Sequence, residues 1–550
     1  MHREKKQSFM QGILTLMFSQ VVIKLLGFIY KLYLTNRKGF GDTGNAIYNS
    51  GFQIYILILT ITSIGIPNAV AKLISEKLSI GDNNGAQKIF KVSFATFSII
   101  GFCGSTFLFF GANYIANTWL QIPEAELTLT ILAPSVFFVS VISVLRGYFN
   151  GYENMRPMAE SQTIEQLSKT VFTIVIVEII CAFMGYQGTT KIMAAGANFA
   201  TTIATFLSFV YLIGLYIKKR KFDREINSIK RYKTATVIEI VKKILIIAMP
   251  MTLSAILGAL NKNIDSFTVV RELKNFLPEA EAKLQYGILS GKIDTLVAFP
   301  MSFNIAFATA LVPAVAAKKA IGDFKSIQKR ISFSILVTIL IGLPCSIGMA
   351  TFAKPILELL FPNASSGEFI YKISSMSIIF ITVEQTINGA LQGLGKLYVP
   401  VFSLGIGLII KLITNLVLVR INPENFIFGG VAGAAFATVI CHLVSMIISF
   451  ILLRKYIEIK FDFSKFIFKP IVATGTMAIT SFYVYKILKS IFLQNIAIIL
   501  AVLFAVFVYI LMLFILKIFE KDELYMLPFV KKHEKSKQNC TEPKKLDSIN

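Results

Sequence analysis

Charged side chains interrupt otherwise apolar stretches of this sequence at Lys24 and Lys31, at Glu165, Lys169 and Glu178, at Asp265, at Lys292 and Asp294, at Glu384 and at Lys411. A charge near the middle of a membrane-length helix costs about 2.5–3.5 kcal/mol on insertion scales, so each needs a cavity, a partner or a function. Lys24 and Lys31 stand seven residues apart, two helical turns, and share one face. Fixed ammonium groups on a shared face suit an anion, and Lys24, Lys31 and Lys169 are candidates to hold a pyrophosphate-like headgroup. A second reading stands beside this one: Lys31, Lys262 and Lys292 reach along their helices to interfacial water. Glu165 and Lys169, four residues apart, either join that site or neutralise one another. Asp265 has no cation four residues on, and Arg271 lies nearly two turns away, which makes Asp265 the strongest single site candidate.

The elements that position these residues follow from composition. Of 550 residues, 55% are hydrophobic and only 16% charged, which excludes a water-soluble enzyme. Apolar runs of about 20 residues recur along nearly the whole length, each long enough to cross a bilayer as a helix. A transmembrane barrel would show short alternating segments instead. About fourteen spans are expected. They group as a first lobe (residues 1–217), a basic linker (218–243), a second lobe (244–456), a final pair of spans (457–517) and a polar tail (518–550). The net charge of +24 sits in connectors between spans, where the positive-inside rule places it, and calls for no nucleic acid. With the even span count it puts both termini in the cytoplasm, with Arg37 and Lys38 as the exception on the outer side. The first apolar stretch lacks a small-residue cleavage site and is expected to remain as a membrane helix. Isolated cysteines and three widely separated histidines give neither a disulfide framework nor a zinc site. No Walker loop, GxSxG or HExxH is present, so neither ATP hydrolysis nor another enzymatic activity is expected.

The chain also repeats itself. Arg146-Gly-Tyr-Phe-Asn-Gly151 in the first half matches Asn388-Gly-Ala-Leu-Gln-Gly393 in the second, and Lys169 matches Lys411 at the same offset. Ala195-Gly-Ala-Asn-Phe-Ala-Thr201 matches Ala432-Gly-Ala-Ala-Phe-Ala-Thr438. Ile66-Pro67 and Val312-Pro313 each lead to a Gly-Asp pair, Gly81-Asp82 and Gly322-Asp323. Six spans per copy give the copies one orientation, with a pseudo-two-fold axis along the membrane normal. The expected fold is therefore an all-α polytopic membrane protein of two six-helix lobes plus two extra carboxyl-terminal helices. Pro67, Pro300 and Pro313 are candidate hinges, since proline removes an intrahelical hydrogen bond and permits a bend.

Ser8-Phe9 with Lys24-Leu-Leu-Gly-Phe-Ile-Tyr30, Gly65-Ile-Pro-Asn-Ala-Val-Ala-Lys-Leu-Ile-Ser-Glu76, and Arg146 through Pro157 followed by Glu165-Gln166 together resemble the stage V sporulation protein B and polysaccharide-transporter branch of the multidrug, oligosaccharidyl-lipid and polysaccharide exporter superfamily. The stretch from Tyr286 through Pro300 to Pro313 is similar too. The resemblance implies a V-shaped pair of lobes around a central cavity, related to lipid II flippases. It also implies flipping of an undecaprenyl-pyrophosphate-linked oligosaccharide, with lipid II the expected cargo, from the inner to the outer leaflet. Lys24 stands for one headgroup-binding arginine of that family, Asp294 matches a family position, and Lys292 is the nearest substitute for the arginine expected where Thr295 stands. Asp265, Asn415 and Thr438 fall where sodium-binding members keep oxygen ligands, whereas Lys411 falls on another ligand position. The expectation is an ammonium in place of sodium, and no cofactor. The implied partners are the lipid-linked oligosaccharide and membrane lipids, for a monomer in a bacterial plasma membrane whose role lies in cell-wall synthesis or sporulation. Two other functions remain open: a cation-coupled drug exporter on the same scaffold, and a non-transporting scaffold for envelope enzymes.

Overall fold

The computed structural model describes residues 9–63, 65–186, 188–223, 236–459 and 462–518. Met1 to Lys6, the linker cations Arg224, Arg231 and Lys233, and the tail lysines Lys531, Lys532, Lys535 and Lys537 lie outside the described residues. In hydrocarbon every backbone N–H and C=O must be satisfied within its own segment, so the apolar runs become helices. The first half holds α1 (Phe9–Asn36), α2 (Gly41–Ser63), α3 (Ile66–Ser79), α4 (Asn83–Tyr114), α5 (Ala125–Gly151), α6 (Arg156–Met184) and α7 (Thr190–Asp223). The second holds α8 (Val237–Leu273), α9 (Glu279–Gly287), α10 (Asp294–Ala320), α11 (Phe324–Thr351), α12 (Ala353–Leu360), α13 (Glu368–Gly393), α14 (Tyr398–Leu418) and α15 (Val431–Arg454). The pair α16 (Lys469–Ile491) and α17 (Gln494–Ile515) is the last of the described helices and packs on α11 and α12. Among the described residues, 12 helical segments are long and apolar enough to cross a membrane, and the 28-residue α1 and 26-residue α13 stand beside them.

Among the described residues, π-helical turns occur in three spans, at Ile115–Trp119, Ile288–Ile293 and Ser464–Phe468. The second span comprises α2 and α3, with Gly65 at the amino-terminal cap of α3 and Pro67 in its first turn. The eighth runs from α9 through a π-helical turn at Ile288–Ile293 into α10, which carries Pro300 and Pro313 inside it.

The internal repeat is visible in packing. A Cβ added at Gly147 or Gly151 of α5 would collide with the Pro67 and Ala71 carbonyls or with Ile74, all on α3. Gly389 and Gly393 of α13 press in the same way on Ala308, Val312 and Val315 of α10. Small residues are kept here because two helix backbones approach closely. The Gly-Asp pairs form the same turn twice. Gly81 (φ 78°) and Gly322 (φ 70°) are left-handed, and the aspartate that follows caps the next helix, Asp82 accepting from the Gly85 N–H and Asp323 from the Ser326 N–H. Each aspartate also meets a lysine on the preceding helix, Lys77 at 2.9 Å and Lys318 at 3.3 Å.

The halves meet along α2 and α8. α2 packs on α8, α9 and the π-helical turn, while α8 also touches α3 and, within its own half, α14 and α15. Gly287 makes the first contact possible: a Cβ there would fall 1.8 Å from the Asp42 carbonyl oxygen. Asn263 of α8 donates to the Gln53 carbonyl of α2 at 3.2 Å, a hydrogen bond across the two halves.

Candidate functional site

A cavity of about 380 Å³ lies between the halves, walled by α1, α2 and α6 on one side and by α8, the π-helical turn and α10 on the other. Lys24, Lys31, Lys169, Lys262 and Asp294 line it, together with Asn49, Gln53, Gln166 and Ser290. Four lysines against one carboxylate leave a formal excess of three positive charges. Lys31 donates to Asn49 Oδ1 at 2.6 Å and lies 4.2 Å from the Tyr48 ring centroid. Lys169 sits 4.1 Å from the Phe52 ring and 5.3 Å from that of Tyr30. Lys262 pairs with Asp294 at 2.7 Å. Lys24, the most exposed of the set, has no carboxylate partner among the described residues.

Two expected members of this set lie elsewhere. Lys292 is fully buried and directed at Asp42 (2.9 Å), the Ser366 hydroxyl (3.2 Å) and the Ala364 carbonyl. Residues two apart on a helix point about 200° from one another, so Lys292 and Asp294 cannot both face one cavity. Lys292 instead ties α10's entry to α2. Asn36 donating to the Leu360 carbonyl (2.7 Å) and Asn363 to the Asn36 carbonyl (2.8 Å) join the halves at the carboxyl end of α1. Glu165 turns to Arg146, whose guanidinium it accepts at 2.9 Å, and so neither lines the cavity nor neutralises Lys169. Arg37, the exception among the connector charges, pairs with Glu178 at 2.5 Å.

A second polar cluster lies beside the cavity. Asp265 borders a small crevice with Gln53, Lys262, Ser290 and Asp294, and its other face meets Lys411 at 2.6 Å. Lys411 also donates to the Asn261 carbonyl (2.6 Å) and to Asn261 Oδ1 (2.7 Å), and Asn415 donates to Asp265 Oδ1 at 2.9 Å. Thr438 does not join: its hydroxyl donates back to the Ala434 carbonyl of its own helix. Thr268 fills the outer place by accepting from Asn415 at 3.0 Å. The fit of a sodium ion can be judged from these donors. Three oxygens already converge on an ammonium that carries the same unit charge, so the residues present do not fit a resident sodium.

The hydrogen-bonded cluster continues to Glu384, one of the charges inside an apolar run, through His442 and Ser445, whose spacing gives no sign of the contact. Asn261 meets His442 Nε2 at 2.9 Å, His442 Nδ1 meets Glu384 at 2.7 Å, and Ser445 donates to Glu384 at 2.5 Å. Lys262, read from sequence as a snorkelling side chain, belongs to the cavity. The polar run Asn261-Lys-Asn-Ile-Asp265 inside an apolar helix was the signal for both.

A helical membrane bundle with two like-folded halves and a charged chamber between them is the architecture of a membrane transporter rather than an enzyme. The family described as "Polysaccharide biosynthesis protein" matches residues 9–318, and this chain belongs to it; the family described as "MatE" matches residues 291–417. The chain is 24% identical over 530 residues to "Stage V sporulation protein B" of Bacillus subtilis (strain 168), covering 96% of this chain and 98% of that protein. It is 24% identical over 463 residues to "Lipid II flippase MurJ" of the same organism, covering 81% and 82%. In structure it is similar to "Lipid II flippase MurJ, inward closed conformation", with a TM-score of 0.65 at 16% identity over 92% of this chain and 98% of that one. It is thus a multi-pass transporter of the exporter superfamily that its sequence resembles.

Proposed function

We propose that this transporter flips an undecaprenyl-pyrophosphate-linked oligosaccharide, lipid II being the favoured cargo, from the inner to the outer leaflet by alternating access. The observation that carries the reading is the formal excess of three positive charges in the cavity between the halves. An unpaired charged headgroup crosses hydrocarbon only at a cost of many kcal/mol. An ammonium about 4 Å from a phosphate at an effective dielectric of about 20 returns roughly 4 kcal/mol. Lys24, Lys31 and Lys169 would hold the diphosphate, and Lys262 would divide its hydrogen bonds between Asp294 and the incoming anion. Two relatives that span four fifths of the chain or more carry names consistent with this cargo or with sporulation. A cationic drug would meet like charge in this chamber, which disfavours the drug-exporter reading.

Pro67 in the first turn of α3 and Pro300 and Pro313 inside α10, each of which removes an intrahelical hydrogen-bond donor, would let the halves rock. Both termini would face the cytoplasm, and the basic linker, residues 218–243, would join the two lobes on that side. The test is reconstitution of the full chain in liposomes with headgroup-labelled lipid II, following access of the label to a membrane-impermeant quencher. Lys24→Ala and Lys169→Ala should each slow flipping by about tenfold or more, as expected from loss of about 1.4 kcal/mol or more of headgroup interaction. Their elution on size exclusion should stay that of the wild type. Wild-type rates in both variants would remove the cavity from the mechanism and leave the scaffold role.

A further inference from the structure

The buried His442, Glu384 and Ser445 cluster takes no part in the cavity, and its hydrogen bonds have only one consistent direction. Lys411 has donors alone, so the Asn261 side-chain atom facing it at 2.7 Å must be the carbonyl oxygen. The Asn261 amide NH₂ therefore faces His442 Nε2 and donates to it at 2.9 Å. Nε2 must then be an acceptor, which leaves the ring proton on Nδ1, donated to Glu384 at 2.7 Å. His442 is neutral in this arrangement. The buried charges of the chain are then Asp265 and Glu384 against Lys411, one positive charge short of neutrality. The imidazole meets Glu384 from α13 directly; Lys411 from α14 and Asp265 from α8 lie behind Asn261, and the Cys441 thiol of α15 lies towards Gly407 of α14.

We propose that His442 with Glu384 is the binding site of a coupling proton, and that α8 reads its occupancy through Asn261. The proton, supplied by water, adds to the Nε2 lone pair. The new N–H bond replaces the hydrogen bond that the pair accepted from Asn261, and the cluster becomes neutral. Asn261 Nδ2 then opposes an N–H donor. Rotation of the amide restores that contact but turns NH₂ towards Lys411, breaking the Asn261 Oδ1 contact. The result is a changed grip of α14 and α15 on α8, the helix whose next residue, Lys262, pairs with Asp294 in the cavity. Asp, Glu and His chains inside membranes serve proton movement in this way. The inference does not depend on which cargo occupies the cavity.

The single tryptophan, Trp119, reports on α8, because its ring lies edge-on to Phe267 with centroids 6.1 Å apart. The full chain in lipid nanodiscs is titrated from about pH 9 to about pH 5, a range that spans histidine protonation. Trp119 emission is followed with sodium and with potassium as the only salt cation. A one-proton transition, alike in both salts, is expected in the wild type, and its loss in His442→Gln and in Glu384→Gln. In parallel, ¹⁵N-histidine spectra are recorded on the chain carrying His2→Gln and His533→Gln, so that His442 is the sole signal. The Nδ1–H neutral tautomer is expected at high pH, becoming doubly protonated on acidification. The Nε2–H tautomer, an imidazole that never titrates, a Trp119 transition that survives both substitutions, or one driven by sodium would each overturn the proposal. A histidine that titrates without any change at Trp119 would overturn the link to α8. Should neither variant fold, the nitrogen spectra and the wild-type emission decide alone.

Discussion

Replacing Lys411 by methionine keeps an unbranched side chain one atom shorter and removes its charge. In the wild type the ammonium, 1% exposed, touches Asp265 Oδ2 at 2.6 Å, the Asn261 carbonyl at 2.6 Å and Asn261 Oδ1 at 2.7 Å. After Lys411→Met, the Asp265 carboxylate keeps only the Asn415 amide at 2.9 Å as a donor from this cluster. Removing one partner of a buried ion pair costs about 3–5 kcal/mol, because the other charge is left uncompensated. The double variant Lys411→Met with Asp265→Asn should recover most of that loss, since the carboxylate goes too. Lys411→Asn gives a third outcome. It vacates a position ringed by three oxygens and leaves the negative charge of Asp265 in place, so a small monovalent cation should enter. Its stabilisation follows from binding to the folded state alone, about 2.7 kcal/mol at a hundredfold excess over the dissociation constant. The assay is thermal unfolding of the purified chain in sodium chloride and in potassium chloride. The wild type should unfold at the same temperature in both, Lys411→Met well below it in both, and Lys411→Asn higher in sodium. A wild type stabilised by sodium, or Lys411→Met as stable as the wild type, would refute the account of Lys411 as an internal cation.

Two further substitutions test the contacts that bring the halves and their turns together. Gly287→Ala places a Cβ 1.8 Å from a backbone oxygen that cannot rotate away, so it should cost more than the roughly 1–3 kcal/mol of ordinary overpacking, read as loss of folded protein on size exclusion. Asp82→Ala removes the α4 cap and should cost about 1 kcal/mol in thermal unfolding. Burial alone would raise the Asp82 carboxyl, but hydrogen bonds from Lys77 and the Gly85 N–H hold it below the ordinary aspartate range. Its contribution is therefore complete above about pH 3.9, the unfolded value, and is lost as the pH falls through the lower folded value. The difference between wild type and Asp82→Ala should shrink only under such acid conditions.

The repeat could be read from sequence because close backbone contact leaves little choice of residue. Gly147, Gly151, Gly389 and Gly393 sit where any side chain collides, and the two Gly-Asp turns need a left-handed residue followed by a cap. Charges are less legible. Their presence in apolar runs marks them as costly, but their direction depends on helix phase, and a residue or two decides it. Lys292 and Asp294 stand together in the motif that carries the family resemblance, but two residues along a helix turn about 200°, so one faces Asp42 and the other Lys262. Glu165 found a partner on α5 rather than one turn along its own helix. Pairings between distant spans carry no local signal at all: Glu384 and His442 are 58 residues apart, and only the packing of α13 on α15 unites them.

Sorting the cations of the bundle by partner separates architecture from affinity. Arg37, Arg146, Lys262, Lys283, Lys292 and Lys411 each hold a carboxylate, so their charges are offset within the protein. Lys24, Lys31 and Lys169 hold none among the described residues, and all three line one cavity. Lys31 and Lys169 lean on aromatic rings, contacts worth about 0.5–2 kcal/mol, which falls short of the roughly 2.5–3.5 kcal/mol of placing a charge at membrane depth. The shortfall is a standing demand for negative charge at one place. A singly charged ligand would leave that demand largely unmet, whereas a diphosphate can meet several ammonium groups at once. Carboxylates placed beside these lysines would have made the bundle more stable and the cavity indifferent to anions. Their absence from the lining, Asp294 aside, leaves Lys24, Lys31 and Lys169 without a carboxylate partner among the described residues, the arrangement that the proposed diphosphate headgroup would satisfy.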